Sequence, residues 1–241
     1  MTYANSDELC RAMYERTGGR VLLAFSRGKD SLAAWLQLRR HGFTVVPFYM
    51  YSIPGLRFEA ESTAYYEKFF GVHIMRVPHP RLYRCLANGV FQAPENMPVI
   101  DWLKLPVFTY DDLHAAIRED LDWPDAWIAT GVRAGDSAAR RACVKHGVTN
   151  EVRRTFFPVF DWTISDVRAA IREAGVKLPP DYDWFGRSFD GYQEIFLGPL
   201  KEHAPDDYQR LLTFFPLAEL ELKRIEYREE YWREHGAAES R

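Results

Sequence analysis

The chain has 241 residues, a formal net charge of −3 at pH 7, 47% hydrophobic and 27% charged residues, the profile of a soluble globular protein able to bury one large core. The slightly acidic balance excludes bulk attraction to nucleic acid or an anionic membrane, so any such binding must be local. No run approaches the ~18 apolar residues of a spanning helix, and the N-terminal stretch lacks a basic-then-apolar leader layout, so a cytoplasmic setting with no membrane partner is expected.

In chain order, Ser6 to Arg16 predict a helix closed by Gly18-Gly19. Val21 to Phe25 are a short apolar run without alternation, the pattern of a parallel strand covered on both faces. A helix follows to about Arg40, then a strand over Thr44 to Tyr51 broken by Ile53-Pro54-Gly55, a helix from Phe58 to Phe70, and a strand over Val72 to Val77. Residues Pro78 to Tyr110 are rich in proline and aromatics without periodicity. They read as a long loop with short helices, either a substrate-facing lid or an irregular packed excursion. Order returns with a helix over Asp111 to Asp120 and a strand over Ala126 to Thr130.

Further on, Thr163 and Asp166 form a capping arrangement before a helix that Gly175 ends. Tyr182 to Tyr192 read as an aromatic loop, and helices are expected over Gln193 to Phe215 and Leu217 to His235. The last has Glu219 and Glu229 four residues before Lys223 and Arg233, pairs that suit a solvated helix. Its apolar stripe of Leu217, Leu220, Ile225, Tyr227, Tyr231 and Trp232 reads first as core packing and second as a homo-oligomer contact. Strands alternating with helices indicate an α/β fold with an open, mainly parallel sheet and helices on both faces. The expected organisation is one α/β domain over 1–192 and a C-terminal helical extension over 193–241 packed on it.

The strand-turn-helix over Val21 to Leu38 builds an anion site. Its turn is Ser26-Arg27-Gly28-Lys29-Asp30-Ser31. Gly28 is expected to take a conformation closed to other residues, and Asp30 or Ser31 to cap the helix. The first-turn N–H groups and the helix dipole then favour a phosphate, with Lys29 adding charge and Ser26 and Ser31 further donors. A P-loop would need glycine at Leu23 and Ser or Thr at Asp30, and no G-x-G-x-x-G is present here. A second strand end delivers Gly131-Val132-Arg133-Ala134-Gly135-Asp136-Ser137, followed by Arg140 and Arg141. Residues 131–154 hold Arg133, Arg140, Arg141, Lys145, Arg153 and Arg154 against only Asp136 and Glu151. Arginine forks suit phosphate or sulfate oxygens; a solvated basic face is the alternative. In open parallel sheets ligands bind at strand carboxyl ends, so both loops are expected to face one crevice.

The first loop resembles the S-G-G-x-D-S pyrophosphate-binding loop of the PP-loop ATP pyrophosphatases, with Arg27 in place of the first glycine. Gly131, Arg133, Asp136, Ser137 and Arg140 match the G-x-R-x-x-(acid or Gln)-S-x-x-R pattern of the PAPS (phosphoadenosine phosphosulfate) reductase-like branch. Phe157-Pro158 and Asp161-Trp162-Thr163 are similar to its P-L-x-D-W-T segment, so the likeness spans roughly residues 20–185. Ile53-Pro54-Gly55 stands where the branch has Asp-Thr-Gly, and no cysteine follows Cys143.

The resemblance implies an adenine nucleotide alpha hydrolase-like fold and an enzyme that cleaves ATP, with Mg2+, between its α- and β-phosphates, moving AMP to an unknown acceptor and releasing pyrophosphate. Ser26, Arg27, Gly28, Lys29, Asp30, Ser31, Gly131, Arg133, Asp136, Ser137 and Arg141 would bind the nucleotide. Lys29, Arg133 and Arg140 would act in catalysis. Arg27 either adds a cation to the phosphate site or crowds the nucleotide. Reduction of PAPS with an external thiol is the alternative reaction, in which Cys85 or Cys143 would have to lie near the nucleotide. A non-catalytic module binding a nucleotide or nucleic acid is the third reading. No iron–sulfur cluster and no other metal site is expected, because Cys10, Cys85 and Cys143 are far apart and the seven histidines are scattered.

Overall fold

A computed structural model describes residues 3–236 of the chain. Its helices are α1 (Ser6–Thr17), α2 (Lys29–Arg40), α3 (Arg57–Phe70), α4 (Pro80–Ala87), α5 (Met97–Leu103), α6 (Tyr110–Asp120), α7 (Ala138–His146), α8 (Ile164–Ala174), α9 (Asp181–Phe185), α10 (Glu194–His203), α11 (Pro205–Phe214) and α12 (Leu220–His235). Its strands are β1 (Arg20–Ala24), β2 (Thr44–Tyr51), β3 (Met75–Pro78), β4 (Ile128–Thr130), β5 (Thr149–Asn150) and β6 (Thr155–Phe156).

The strands form one sheet in the order β3-β2-β1-β4-β6-β5, parallel except for β5 against β6. The chain winds outward from β1 through β2 to β3, then returns to lay β4 on the other side of β1. That reversal is the point where open α/β sheets form a crevice. Val21, Leu23, Val45, Tyr49, Ala129 and Phe156 share a core with Leu9 and Met13 of α1, Trp35 and Leu38 of α2, and Val167 and Ile171 of α8. Leu22, Phe48 and Ile128, pointing the other way along the pleat, are equally buried. On that side His114 of α6 lies edge-on to Phe48, at 5.8 Å between ring centroids. Burial on both faces explains why β1 reads as an unbroken apolar run. Pro47 is tolerated inside β2 because β3 pairs only from Phe48 onward, so no ladder bond on that side is lost.

The residues divide into two compact units that interleave along the chain. The first unit, 1–51, 61–78 and 109–179, holds the whole sheet. The second, 52–60, 79–108 and 180–241, is helical; residues 237–241 of the expected extension lie outside the described residues.

Several local expectations change in the second unit. The stretch from 78 to 110 holds the short helices expected of it, α4 and α5, but α9 occupies the start of the expected aromatic loop. The helix expected over 193–215 is two helices, because Pro205 starts α11 and Ala204 before it leaves the helical region (φ −144°, ψ 68°). The buried Asp207 of α11 accepts the backbone N–H groups of Arg57 and Phe58 at 2.7 and 3.0 Å, satisfying the start of α3. No residue of α12 is buried, which overturns the core reading of its stripe; Tyr227, Tyr231 and Trp232 are exposed. Glu219, expected to pair with Lys223, lies 3.2 Å from Lys201.

Candidate nucleotide site

The turn after β1 is shaped by Arg27, not by Gly28. Gly28 has an ordinary extended conformation (φ −73°, ψ 157°), whereas Arg27 is left-handed at φ +61°. The side chain of Arg27 is fully buried. It donates from Nη1 to Ser62 Oγ at 2.8 Å, and its guanidinium lies 5.1 Å from the centre of the Tyr49 ring. Its guanidinium is thus turned to protein groups, and Arg27 is not among the residues that line the cleft described below.

Neither Asp30 nor Ser31 caps α2. Gly28 is the N-cap and supplies no side-chain cap, at the end of the helix that carries the positive pole of its dipole. Ser31 Oγ instead staples the loop, accepting from Ser26 N–H at 3.2 Å and Ser26 Oγ at 3.1 Å and donating to the Gly28 carbonyl at 2.9 Å.

The turn after β4 meets this loop backbone to backbone. Ala24 and Thr130 are register partners, so the two strands deliver their turns side by side. At Gly131 a Cβ would lie 2.6 Å from the Asp30 carbonyl carbon and 2.7 Å from Ser31 N. Only glycine permits that approach. Arg133, 2% exposed, locks it: Nε donates to Asp30 Oδ1 at 2.6 Å and Nη1 to the Trp162 carbonyl at 3.1 Å, while Nη2 lies 3.8 Å from Asp136 Oδ1. Asp30 is thus held between Arg133 and Lys29, whose Nζ is 3.0 Å from Oδ2. Ser137 is the N-cap of α7, accepting from Arg140 N–H at 3.2 Å.

A cleft of about 720 Å³ opens at this edge of the sheet. Met50, Ala24, Thr130 and Thr155 line it from four neighbouring strands. Of the predicted residues, Ser26, Asp30, Ser31, Gly131, Asp136 and Arg140 line the cleft. Arg27, Gly28, Lys29, Arg133, Ser137 and Arg141 do not; Arg27 and Arg133 are turned to protein partners and Arg141 is exposed. The basic segment is split in the same way. Arg140 and Arg153 reach the cleft, Arg153 with its Nε 3.2 Å from Asp111 Oδ1, whereas Arg154 pairs with Asp125 at 2.8 Å.

Sequence reasoning did not single out the opposite wall, where Tyr110, Asp111 and His114 come from α6. A signal was present: Thr109 and Asp112 repeat the T-x-x-D spacing of Thr163 and Asp166, and both pairs form reciprocal capping boxes. Cys143 of α7 also lines the cleft and is exposed; Cys10 is buried, and burial pushes its thiol up to about 12. Among the described residues no cluster of three or more His, Cys, Asp or Glu is placed to hold a metal ion, and no helix is long and apolar enough to cross a membrane. The cleft carboxylates Asp30 and Asp111 already face cations, and Asp136 lies at the long limit of an ion pair.

No family model and no curated protein matches this chain. Many solved structures are similar to it. One is the phosphate complex of phosphoadenylyl-sulfate (PAPS) reductase from Candida auris, 15% identical over 74% of this chain and 84% of that one, with a TM-score of 0.48. Another is the NH3-dependent NAD synthetase from Campylobacter jejuni subsp. jejuni NCTC 11168 in complex with nitrate ion, 11% identical over 90% of this chain and 93% of that one, with a TM-score of 0.45.

Proposed function

We propose that this chain is a PP-loop nucleotide enzyme that binds the magnesium complex of ATP in the cleft and cleaves it between the α- and β-phosphates. The observation that carries the reading is the contact at Gly131, where two anion-suited turns, one ending in an uncapped helix N-terminus, meet at the reversal point of a parallel sheet. The acceptor's nucleophile attacks the α-phosphorus, the bond from that phosphorus to the bridging oxygen breaks, and pyrophosphate leaves with the electron pair. Ser26, Ser31 and the start of α2 bind the leaving pyrophosphate. Lys29 supplies an ammonium beside Asp30 and Arg140 a fork for charge that develops in the transition state. Arg133 is a positioning residue that acts through Asp30. Positioning and electrostatics supply most of the rate in such a transfer.

The test is product identity after incubation with ATP and magnesium, alone and with cell extract as a source of acceptor. AMP with pyrophosphate is expected; ADP with phosphate would sink the proposal. A second reading is favoured by Cys143 on the cleft wall. There its thiolate attacks the sulfur of PAPS, the sulfur–oxygen bond to the nucleotide breaks, and an external dithiol releases sulfite. Sulfite from PAPS and a dithiol, lost in Cys143→Ser, would select that reading.

A further inference from the structure

The polar lining of the cleft falls into two sets. Ser26, Asp30, Ser31, Gly131, Asp136 and Arg140 belong to the two anion-suited turns and α7, and suit the charged end of a ligand. Thr130 and His114 are of another kind. They are the two cleft-lining residues with a buried side-chain polar atom, Oγ1 and Nδ1, that makes no hydrogen bond among the described residues. A buried polar atom without a partner is costly, so its partner is to be sought in whatever fills the cleft. Both groups are uncharged at neutral pH. Burial, and then Arg118, push the His114 ring down to about 4, with Arg153 acting the same way and Asp111 opposing. A neutral imidazole has one donor and one acceptor, and a hydroxyl can do either. Around them Ala24, Met50, Val132 and Phe157 offer apolar surface, the setting for a flat ring with a polar edge.

We propose that His114 and Thr130 are the specificity-determining residues of the cleft, hydrogen-bonding the edge of an uncharged planar heterocycle, the nucleobase of the bound nucleotide. The inference rests on the nucleotide reading above and adds to it which side chains read the base. Phe48, against which His114 lies, and Thr130 are the register partners of Ala24 on its two sides, so the two groups flank the end of β1.

The experiment measures binding of ATP, GTP, UTP and inorganic pyrophosphate to the full chain by calorimetry. The wild-type protein, His114→Ala, His114→Gln, Thr130→Val and Thr130→Ser are compared. Loss of one buried hydrogen bond is expected to weaken binding of the preferred nucleoside triphosphate about tenfold in His114→Ala and Thr130→Val. His114→Ala is expected to shrink the preference among bases, and Thr130→Ser to restore affinity. Pyrophosphate has no base, so its affinity is expected to hold in every variant, which also shows that each variant is folded. Unchanged triphosphate affinity and base preference in both truncations would overturn the assignment, as would an equal loss of pyrophosphate binding. A wild-type protein that binds no nucleoside triphosphate would overturn the nucleotide reading itself, an outcome distinct from wild-type binding that the variants fail to alter.

Discussion

Gly131→Ala is the sharpest perturbation of the site. The backbone at Gly131 is not in the left-handed region, so alanine meets no conformational penalty there; the whole effect is steric. The added methyl group would lie 2.6 Å from the Asp30 carbonyl carbon and 2.7 Å from both the Asp30 oxygen and the Ser31 nitrogen. All three are backbone atoms, so no flexible side chain can yield. Opening the gap from 2.6 Å to an ordinary 3.4 Å contact moves one turn by about 0.8 Å. Overpacking of this kind costs about 1–3 kcal/mol, or a fall in Tm of roughly 2–12 °C for a chain of this size. The displaced turn is also the one that ends in the anion-suited helix start, and misplacement by about 1 Å can reduce turnover about a hundredfold. Thermal unfolding and ATP turnover are the measurements. A variant that melts and turns over like the wild type would refute the argument that close approach of the two turns builds the site.

Arg133→Ala should destabilise the chain by about 1.5–3 kcal/mol, because it removes the buried bonds to Asp30, which keeps Lys29, and to the Trp162 carbonyl; urea unfolding with a loss below about 1 kcal/mol would contradict this. Arg27→Gly relieves a left-handed arginine but empties a fully buried site, so Tm should fall while pyrophosphate affinity holds; a large affinity loss would place Arg27 back at the phosphate. Lys29→Ala should weaken pyrophosphate binding and leave Tm unchanged, read by calorimetry and melting; wild-type binding would remove Lys29 from the site. His79 and His114 are both pushed down to about 4, chiefly by burial, from 6.5. Their lowered values mean that stability is fully present above about pH 6.5 and is lost as pH falls toward 4. Urea unfolding across that window should show the slope, and His114→Gln should flatten it; parallel curves would count against a buried neutral ring. Iodoacetamide should label Cys143 and spare Cys10 until unfolding, and a bound nucleotide should slow the labelling of Cys143.

The sheet and its crevice are legible in the sequence because local rules and tertiary packing agree there. The unbroken apolar run of β1, the glycine stop of α1 and the Thr163 capping box each have a local cause that the fold preserves. The role of Arg27 is not legible, since a positive charge in a phosphate-suited turn looks like a ligand until its partners, Ser62 and Tyr49, are brought in from distant residues. The same holds for Arg133, whose bond to Asp30 joins residues far apart in the chain. His114 escapes because one histidine on a helix gives no spacing signal; only the register of α6 against β2 puts its ring in the cleft. On α12 the apolar stripe misleads because its period is satisfied although Tyr227, Tyr231 and Trp232 stay exposed.

The two ends of the sheet bear on the behaviour of the chain at high concentration. An edge strand exposes a row of backbone donors and acceptors that can template a neighbouring molecule, and natural proteins blunt such edges with short strands, charge and proline. Here one edge is β5, only two residues long and running against its neighbour, and the other is β3, four residues that carry Arg76 and end in Pro78. Neither offers the long flat ladder on which a second sheet could grow. The parallel strands that build the crevice are thus kept to the middle of the sheet, where self-association by strand pairing cannot reach them.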